Sequence, residues 1–248
     1  MAVRLIAALL LGVYAVLWVG GVTAHLLWQR TPDTVSWTAA AFLTCGAALL
    51  LLRLPGVRFW LLAAGAAGFV AELAGARLGV PFGPYSYTPV LEPQLGGVPV
   101  VMSCAWMILL VYVKSLIDLL PFSRPAAVAA GATWMMAIDF AIDPVATVAL
   151  NFWRWHTPGH YYGIPWSNFA GWVAVSALLL ASGIKLRIEG WWPRWIGLSV
   201  VVFFGLLAIA HHLMAAAGVA LALACWHLWI VQKTAQKSIH SESACGSL

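Results

Sequence analysis

Asp139 and Asp143 stand four residues apart in the stretch "TWMMAIDFAIDPVATVAL", with apolar residues on both sides. On a helix that separation puts both side chains on one face, about one turn from each other. A carboxylate near the centre of a membrane-spanning helix costs on the order of 2.5–3.5 kcal/mol on insertion scales, so such residues face the protein interior and mark function. Two at this spacing also repel, and the low-energy arrangement leaves at least one proton on the pair. Pro144 follows at once. It removes a backbone hydrogen bond to residue 140, which predicts a kink beside the acids. A third carboxyl, Glu72, is in register with Ala64, Gly68 and Ala76 at four-residue steps. That small-residue face lets another helix approach closely, so Glu72 is also expected to point inward. The plainer reading of the Asp pair, a structural polar clamp between helices, carries less weight because Glu72 converges on the same end.

Protonatable carboxyls, many aromatic faces, an apolar surround and very few cations suit acid catalysis on an apolar alkene. A neutral carboxyl would protonate the double bond, aromatic faces would stabilise the cation, and a second carboxylate would activate water. Asn151, Asn168, Tyr85, Tyr87, Tyr161 and Tyr162 supply neutral donors and acceptors on that side. No P-loop, GxGxxG, nucleophile elbow or HExxH occurs. His156 and His160, four apart, and the adjacent His211 and His212 are weak metal signals without acids nearby. Cys45, Cys104, Cys225 and Cys245 are far apart and support neither a disulfide frame nor a thiolate metal site.

The elements that must hold these acids are membrane spans. Hydrophobic residues make up 63% of the chain and charged residues 8%, with a mean hydropathy of +0.92. A soluble domain carries about 25% charged residues, so this surface cannot be mostly water-facing. Apolar runs near 20 residues recur throughout. They predict an all-α, polytopic helix bundle with spans near 4–28, 36–52, 58–76, 99–120, 126–150, 168–186, 195–211 and 213–232. Residues 1–232 form one transmembrane domain, and 233–248 a short polar tail expected to be disordered. The last run is long for one helix and short for two, and charge decides it. With eight spans, ten of the thirteen Lys and Arg share one side, leaving Arg30, Arg77 and Arg154 on the other; seven spans give eight against five. Positive residues stay cytoplasmic, which favours eight spans with both termini inside. The net charge of +5 is scattered, with no basic patch for nucleic acid. Asp33, Glu189 and Glu242 are expected in loops or tail, Glu92 in the long loop and Asp118 near the inner end of a span.

Two segments break the apolar pattern, "RLGVPFGPYSYTPVLEPQLGGV" at 77–98 and "NFWRWHTPGHYYGIPWS" at 151–167. Both are rich in Pro, Gly and aromatics, nearly free of charge, and on the same outer side in the eight-span arrangement. Irregular backbone at membrane depth is tolerated only where it is buried in protein or lines a cavity. Isolated tryptophans such as Trp28, Trp60, Trp191 and Trp192 are ordinary interfacial residues. Two Pro-stiffened loops on one face point instead to a shaped cavity.

The blocks "ELAGARLGVPFGPYSYTPVLEPQLGGVPVVMSCAW", "AIDFAIDPVA" and "WRWHTPGHYYGIPWSNFAGW" resemble the signature blocks of the CruF-type carotenoid hydratases, an integral-membrane carotenoid biosynthesis family. The resemblance covers about residues 70–172, and the flanking spans only by hydropathy. It implies addition of water across the terminal double bond of an acyclic carotenoid end, giving a tertiary 1-hydroxy group without an organic cofactor or metal. It also implies a carotenoid and water as reactants, membrane lipids and other carotenoid-pathway enzymes as partners, and a location in the cytoplasmic membrane. The match is to blocks and not to assigned roles; the chemistry of the residues themselves makes Asp139, Asp143 and Glu72 the expected catalytic groups. The expected substrate-binding set is Phe82, Tyr85, Tyr87, Trp106, Trp153, Trp155, Tyr161, Tyr162, Asn168 and Trp172. Two other readings stay open: a metal-dependent prenyltransferase using Asp139 and Asp143, and a non-catalytic lipid or pigment scaffold.

The charge asymmetry predicts that Ala217 faces outward and His240 inward. Reporter fusions at these positions should give opposite signals; matching signals would remove the eight-span arrangement.

Overall fold

The computed structural model describes residues 2–30 and 35–245. Asp33 lies outside the described residues, as does the end of the tail from residue 246. Eight helices are present among the described residues: α1 (Ala2–Trp28), α2 (Thr38–Arg53), α3 (Arg58–Leu78), α4 (Met102–Ile117), α5 (Arg124–Pro144), α6 (Trp166–Ser182), α7 (Trp192–Ala210) and α8 (Met214–Cys245). Four short strands join them in the two irregular segments: β1 (Tyr85–Tyr87), β2 (Gln94–Leu95), β3 (Val98–Pro99) and β4 (Trp153–Trp155). The chain is a multi-pass helical membrane protein. Five helices are long and apolar enough to cross a bilayer; α2, α4 and α6 have only 16, 16 and 17 residues.

Burial explains the short central helix. In α4, 13 of 16 residues are buried, so other helices surround it and lipid does not set its length. At about 1.5 Å per residue it spans roughly 24 Å, less than the ~30 Å hydrocarbon core. The expected span 99–120 was longer because Val98 and Pro99 are used in β3 and the chain unwinds beyond Ile117. That end of α4 is tied down by Asp118. It takes a salt bridge from Lys114 (2.5 Å) and accepts the backbone N–H of Ile188 (2.9 Å), while Lys114 also donates to the Leu186 carbonyl (2.6 Å).

Close approach of α3 to α4 fixes the site's geometry. A Cβ at Gly68 would lie 2.3 Å from Cγ of Trp106, and one at Gly65 would lie 2.7 Å from Cγ of Met107. Only glycine permits this contact. A tight turn at His211 and His212 is present between α7 and α8, as expected, with His212 at φ +59° and the His25 and His211 rings 3.0 Å apart, Nδ1 to Nε2. The tail differs from expectation. Residues 233–245 continue α8 as helix, because no Pro or Gly interrupts the chain between Gly218 and Gly246 and Ala, Gln and Lys favour helix.

Adding even a small side chain at Gly68 should therefore be costly. Gly68→Val is expected to lower stability in detergent by roughly 1–3 kcal/mol, while Gly12→Val, with nothing within 4 Å, should leave thermal unfolding unchanged. Equal melting of the two variants would mean α3 and α4 are not held at this distance.

Candidate active site

Pro144 sets up the site by ending α5. The α-helix gives way to a π-helical turn at Val145–Ala149, the break that the proline predicts. Leu150 N–H then bonds the Val145 carbonyl, Phe152 N–H bonds that of Ala146, and Asn151 takes a left-handed conformation at φ +50°. The chain doubles back, so β4 passes over Asp143 ten residues after leaving it. There β4 pairs antiparallel with β1 in the register Tyr85↔Trp155, Ser86↔Arg154, Tyr87↔Trp153. This pairing brings both irregular segments together at one end of the bundle, as expected from the sequence.

Side chains alternate across a strand, and the ribbon uses both faces. Tyr85, Tyr87, Trp153 and Trp155 point down toward the acids, while Ser86 and Arg154 point away and are exposed. Gly75 on α3 makes room for this, because a Cβ there would meet the Tyr85 ring at 2.9 Å. The Tyr85 hydroxyl consequently reaches Oε2 of Glu72 at 2.5 Å, and the Tyr87 hydroxyl reaches the same oxygen at 2.8 Å. The Trp106 indole N–H donates to Oε1 at 3.0 Å. Burial first, then the charge of Glu72, pushes both phenols well above their ordinary range, so they remain protonated donors.

Asp139 and Asp143 meet a different donor set. The Asn168 amide, at the start of α6, donates to Oδ2 of Asp139 (2.5 Å) and to Oδ2 of Asp143 (2.8 Å). Indole N–H groups of Trp153 (2.8 Å) and Trp155 (3.4 Å) converge on Oδ1 of Asp143. Asp143 therefore accepts from three groups. Asp139 is 2% exposed, Asp143 0% and Glu72 5%. All three carboxyls line one small cavity of ≈ 20 Å³ together with Phe82, Tyr85, Tyr87, Met102, Trp153, Trp155, Asn168 and Trp172. That volume has room for about one water molecule.

Several expected residues take other positions. Trp106 does not line the cavity; it stacks on Trp172 at 4.5 Å and spends its N–H on Glu72. Tyr161 donates to the Phe140 carbonyl and packs on Phe140 and Phe169, and the Tyr162 hydroxyl accepts the Ala215 N–H. Neither tyrosine lines the cavity, because the turn after β4 carries them past α5 toward α8. Met102 does line it, and nothing in its sequence surroundings singled it out.

These features define a multi-pass membrane protein with a buried three-carboxyl pocket closed by an aromatic ribbon. Residues 34–231 match the family described as carotenoid biosynthesis protein, and the chain belongs to that family. A bisanhydrobacterioruberin hydratase of Haloarcula japonica is 35% identical over 120 residues, which cover 45% of this chain and 40% of that relative. The match thus spans less than half of the relative's length. No solved structure matches the chain.

Removing a donor from a buried carboxyl leaves its acceptor unsatisfied. Trp106→Phe is expected to destabilise the fold by about 1–3 kcal/mol, measured by thermal unfolding in detergent. Unchanged melting would mean the Trp106–Glu72 bond contributes nothing to the packing of α4 on α3.

Proposed function

We propose that this protein is a carotenoid hydratase that adds water across the terminal double bond of an acyclic carotenoid end by acid catalysis. The observation that carries the reading is the convergence of Asp139, Asp143 and Glu72 on one cavity of water size, satisfied entirely by neutral donors. The similarity to a named hydratase supports it over the aligned stretch.

Asp139, with Asn168 as its partner, holds the proton of the pair, whereas three donors suit Asp143 to remain the anion. The Asp139 proton adds to the less substituted alkene carbon, the π electrons form the new C–H bond, and a tertiary cation results. Faces of Tyr85, Tyr87, Trp153 and Trp155 stabilise that cation. Water attacks it, and the proton that water loses passes to Asp143. Proton transfer between the two aspartates, both bonded to the Asn168 amide, restores the starting state. Overall one water is consumed and no redox change occurs. Glu72, fixed by three donors, orients the water and the ribbon. The protein acts in the cytoplasmic membrane with both termini inside, in keeping with its charge asymmetry.

Asparagine keeps shape and hydrogen bonding but supplies no proton. Asp139→Asn and Asp143→Asn should each lower hydration of lycopene by ~10²–10⁴-fold, with normal insertion, while Glu72→Gln should lose less. The assay is the mass of the pigment, which gains one water per hydrated end. Turnover within a few-fold of the parent in both aspartate variants would make the pair structural.

The same mechanism needs no metal. Activity is expected to persist in chelator, and loss restored by magnesium would instead make Asp139 and Asp143 metal ligands.

A further inference from the structure

The acid pocket is smaller than the group it is proposed to transform. Its ≈ 20 Å³ suits a water, whereas the branched end of an isoprenoid carries several carbon atoms. Beside the β1–β4 ribbon lies a second space of ≈ 660 Å³, within the ~300–1,000 Å³ range of small-molecule sites. Helices α1, α2 and α7 contribute Leu17, Phe42, Leu43, Phe203, Phe204 and Leu207 to its lining.

Its lining is partly polar and includes Arg30 and Ser36, and four of the other polar groups already have partners. Thr38 Oγ1 donates to the Val35 carbonyl (2.7 Å), Thr88 Oγ1 to that of Asn151 (2.5 Å), and Arg154 Nε to Asn151 Oδ1 (3.0 Å). Ser86 Oγ pairs with His156 Nε2 at 3.1 Å. A hydrocarbon lying against these four groups would leave none of them orphaned. Among the described residues, Tyr87 is the residue that lines both spaces. The residue borders the chamber, and its hydroxyl holds Glu72 at 2.8 Å.

We infer that this chamber holds the extended isoprenoid chain of the substrate, with Tyr87 as the gate through which the terminal alkene reaches Asp139. The inference rests on the hydratase reading for its choice of guest. The chain lies along α1, α2 and α7, and its end displaces the Tyr87 ring from Glu72 to enter the acid pocket.

The test uses full-length protein purified in detergent from a lycopene-producing host, with bound pigment read from visible absorbance per protein. Asp143→Asn serves as background, since it retains substrate without turning it over. Adding Leu43→Trp, which fills the chamber away from every carboxyl, should cut retained pigment about tenfold or more, equivalent to roughly 1.4 kcal/mol. Adding Leu62→Trp, on the exposed face of α3, should leave it unchanged. In the parent, Leu43→Trp should raise KM for lycopene with kcat nearly constant, the pattern of lost uniform binding. Ala39→Phe replaces Leu43→Trp if that variant does not accumulate. Equal pigment in the Leu43→Trp and Leu62→Trp proteins overturns the inference. So does displacement of co-purified phospholipid by Leu43→Trp with pigment unaffected, which would make the guest a lipid acyl chain. A parent that binds pigment in the chamber but never adds water sinks the hydratase reading and leaves the chamber assignment standing.

Discussion

Three carboxyls inside a membrane-embedded bundle must each be hydrogen-bonded, because nothing in lipid can solvate them. The rest of the pocket end of the molecule is built around that constraint. Glu72 draws its donors from α4 and β1, Asp143 from β4 and α6, and Asp139 from α6. Helix α3 is stripped to glycine at Gly68 and Gly75, where Trp106 and Tyr85 must come close enough to donate. The two irregular segments have to pair across the bundle end, since neither alone delivers donors to both Glu72 and Asp143. A loop at this depth would otherwise be difficult to accommodate, and its Pro-rich, uncharged character follows from being packed against the acids rather than hydrated.

The ribbon also separates two environments. With a repeat of two residues, β1 and β4 turn four aromatic side chains toward the carboxyls and leave Ser86 and Arg154 on the other face. A single strand pair thus closes a water-sized pocket on one side and borders a chamber some thirty times larger on the other, from ≈ 20 to ≈ 660 Å³. Tyr87 belongs to both because it sits at the ribbon's end, in reach of Glu72 and beside Thr88. Under the proposed reaction, this keeps the acid dry until an alkene arrives, and a reactive cation would form where little more than one water is at hand.

Much of this was legible in the sequence because membrane chemistry leaves strong marks. Eight apolar runs, the four-residue spacing of Asp139 and Asp143, and the helix-ending effect of Pro144 each follow from local rules and correspond to what the chain forms. Glu72 was readable from the glycines and alanines on its face. What was not readable depends on where the chain goes after it leaves a helix. Nothing local says that Trp106 would give its N–H to Glu72 rather than its ring to a ligand. Tyr161 and Tyr162 resemble Tyr85 and Tyr87 in composition, but the turn beyond β4 sends them elsewhere. The large chamber was invisible for a further reason. Leu17, Phe42, Phe203 and Leu207 sit in runs of similar apolar residues, and only the packing of α1, α2 and α7 reveals which of them leave a space.

The choice of donors bears on the chemistry. An arginine or lysine would partner a buried carboxylate more strongly than a tyrosine, tryptophan or asparagine. It would also hold that carboxyl as an anion and add a positive charge beside any developing cation. The salt bridge among the described residues, Lys114 to Asp118, is at the opposite end of α4 from the pocket. Arg154, in the middle of the ribbon, faces away from the acids and pairs with Asn151. Indole, phenol and amide groups satisfy the acids with no net charge, and the same indoles and phenols present electron-rich faces to the cavity. Neutral donors therefore serve two demands together that a cation could not. They make the carboxyls tolerable in the membrane, and under the proposed reaction they leave the pocket negative enough to stabilise a carbocation at the moment a proton is delivered.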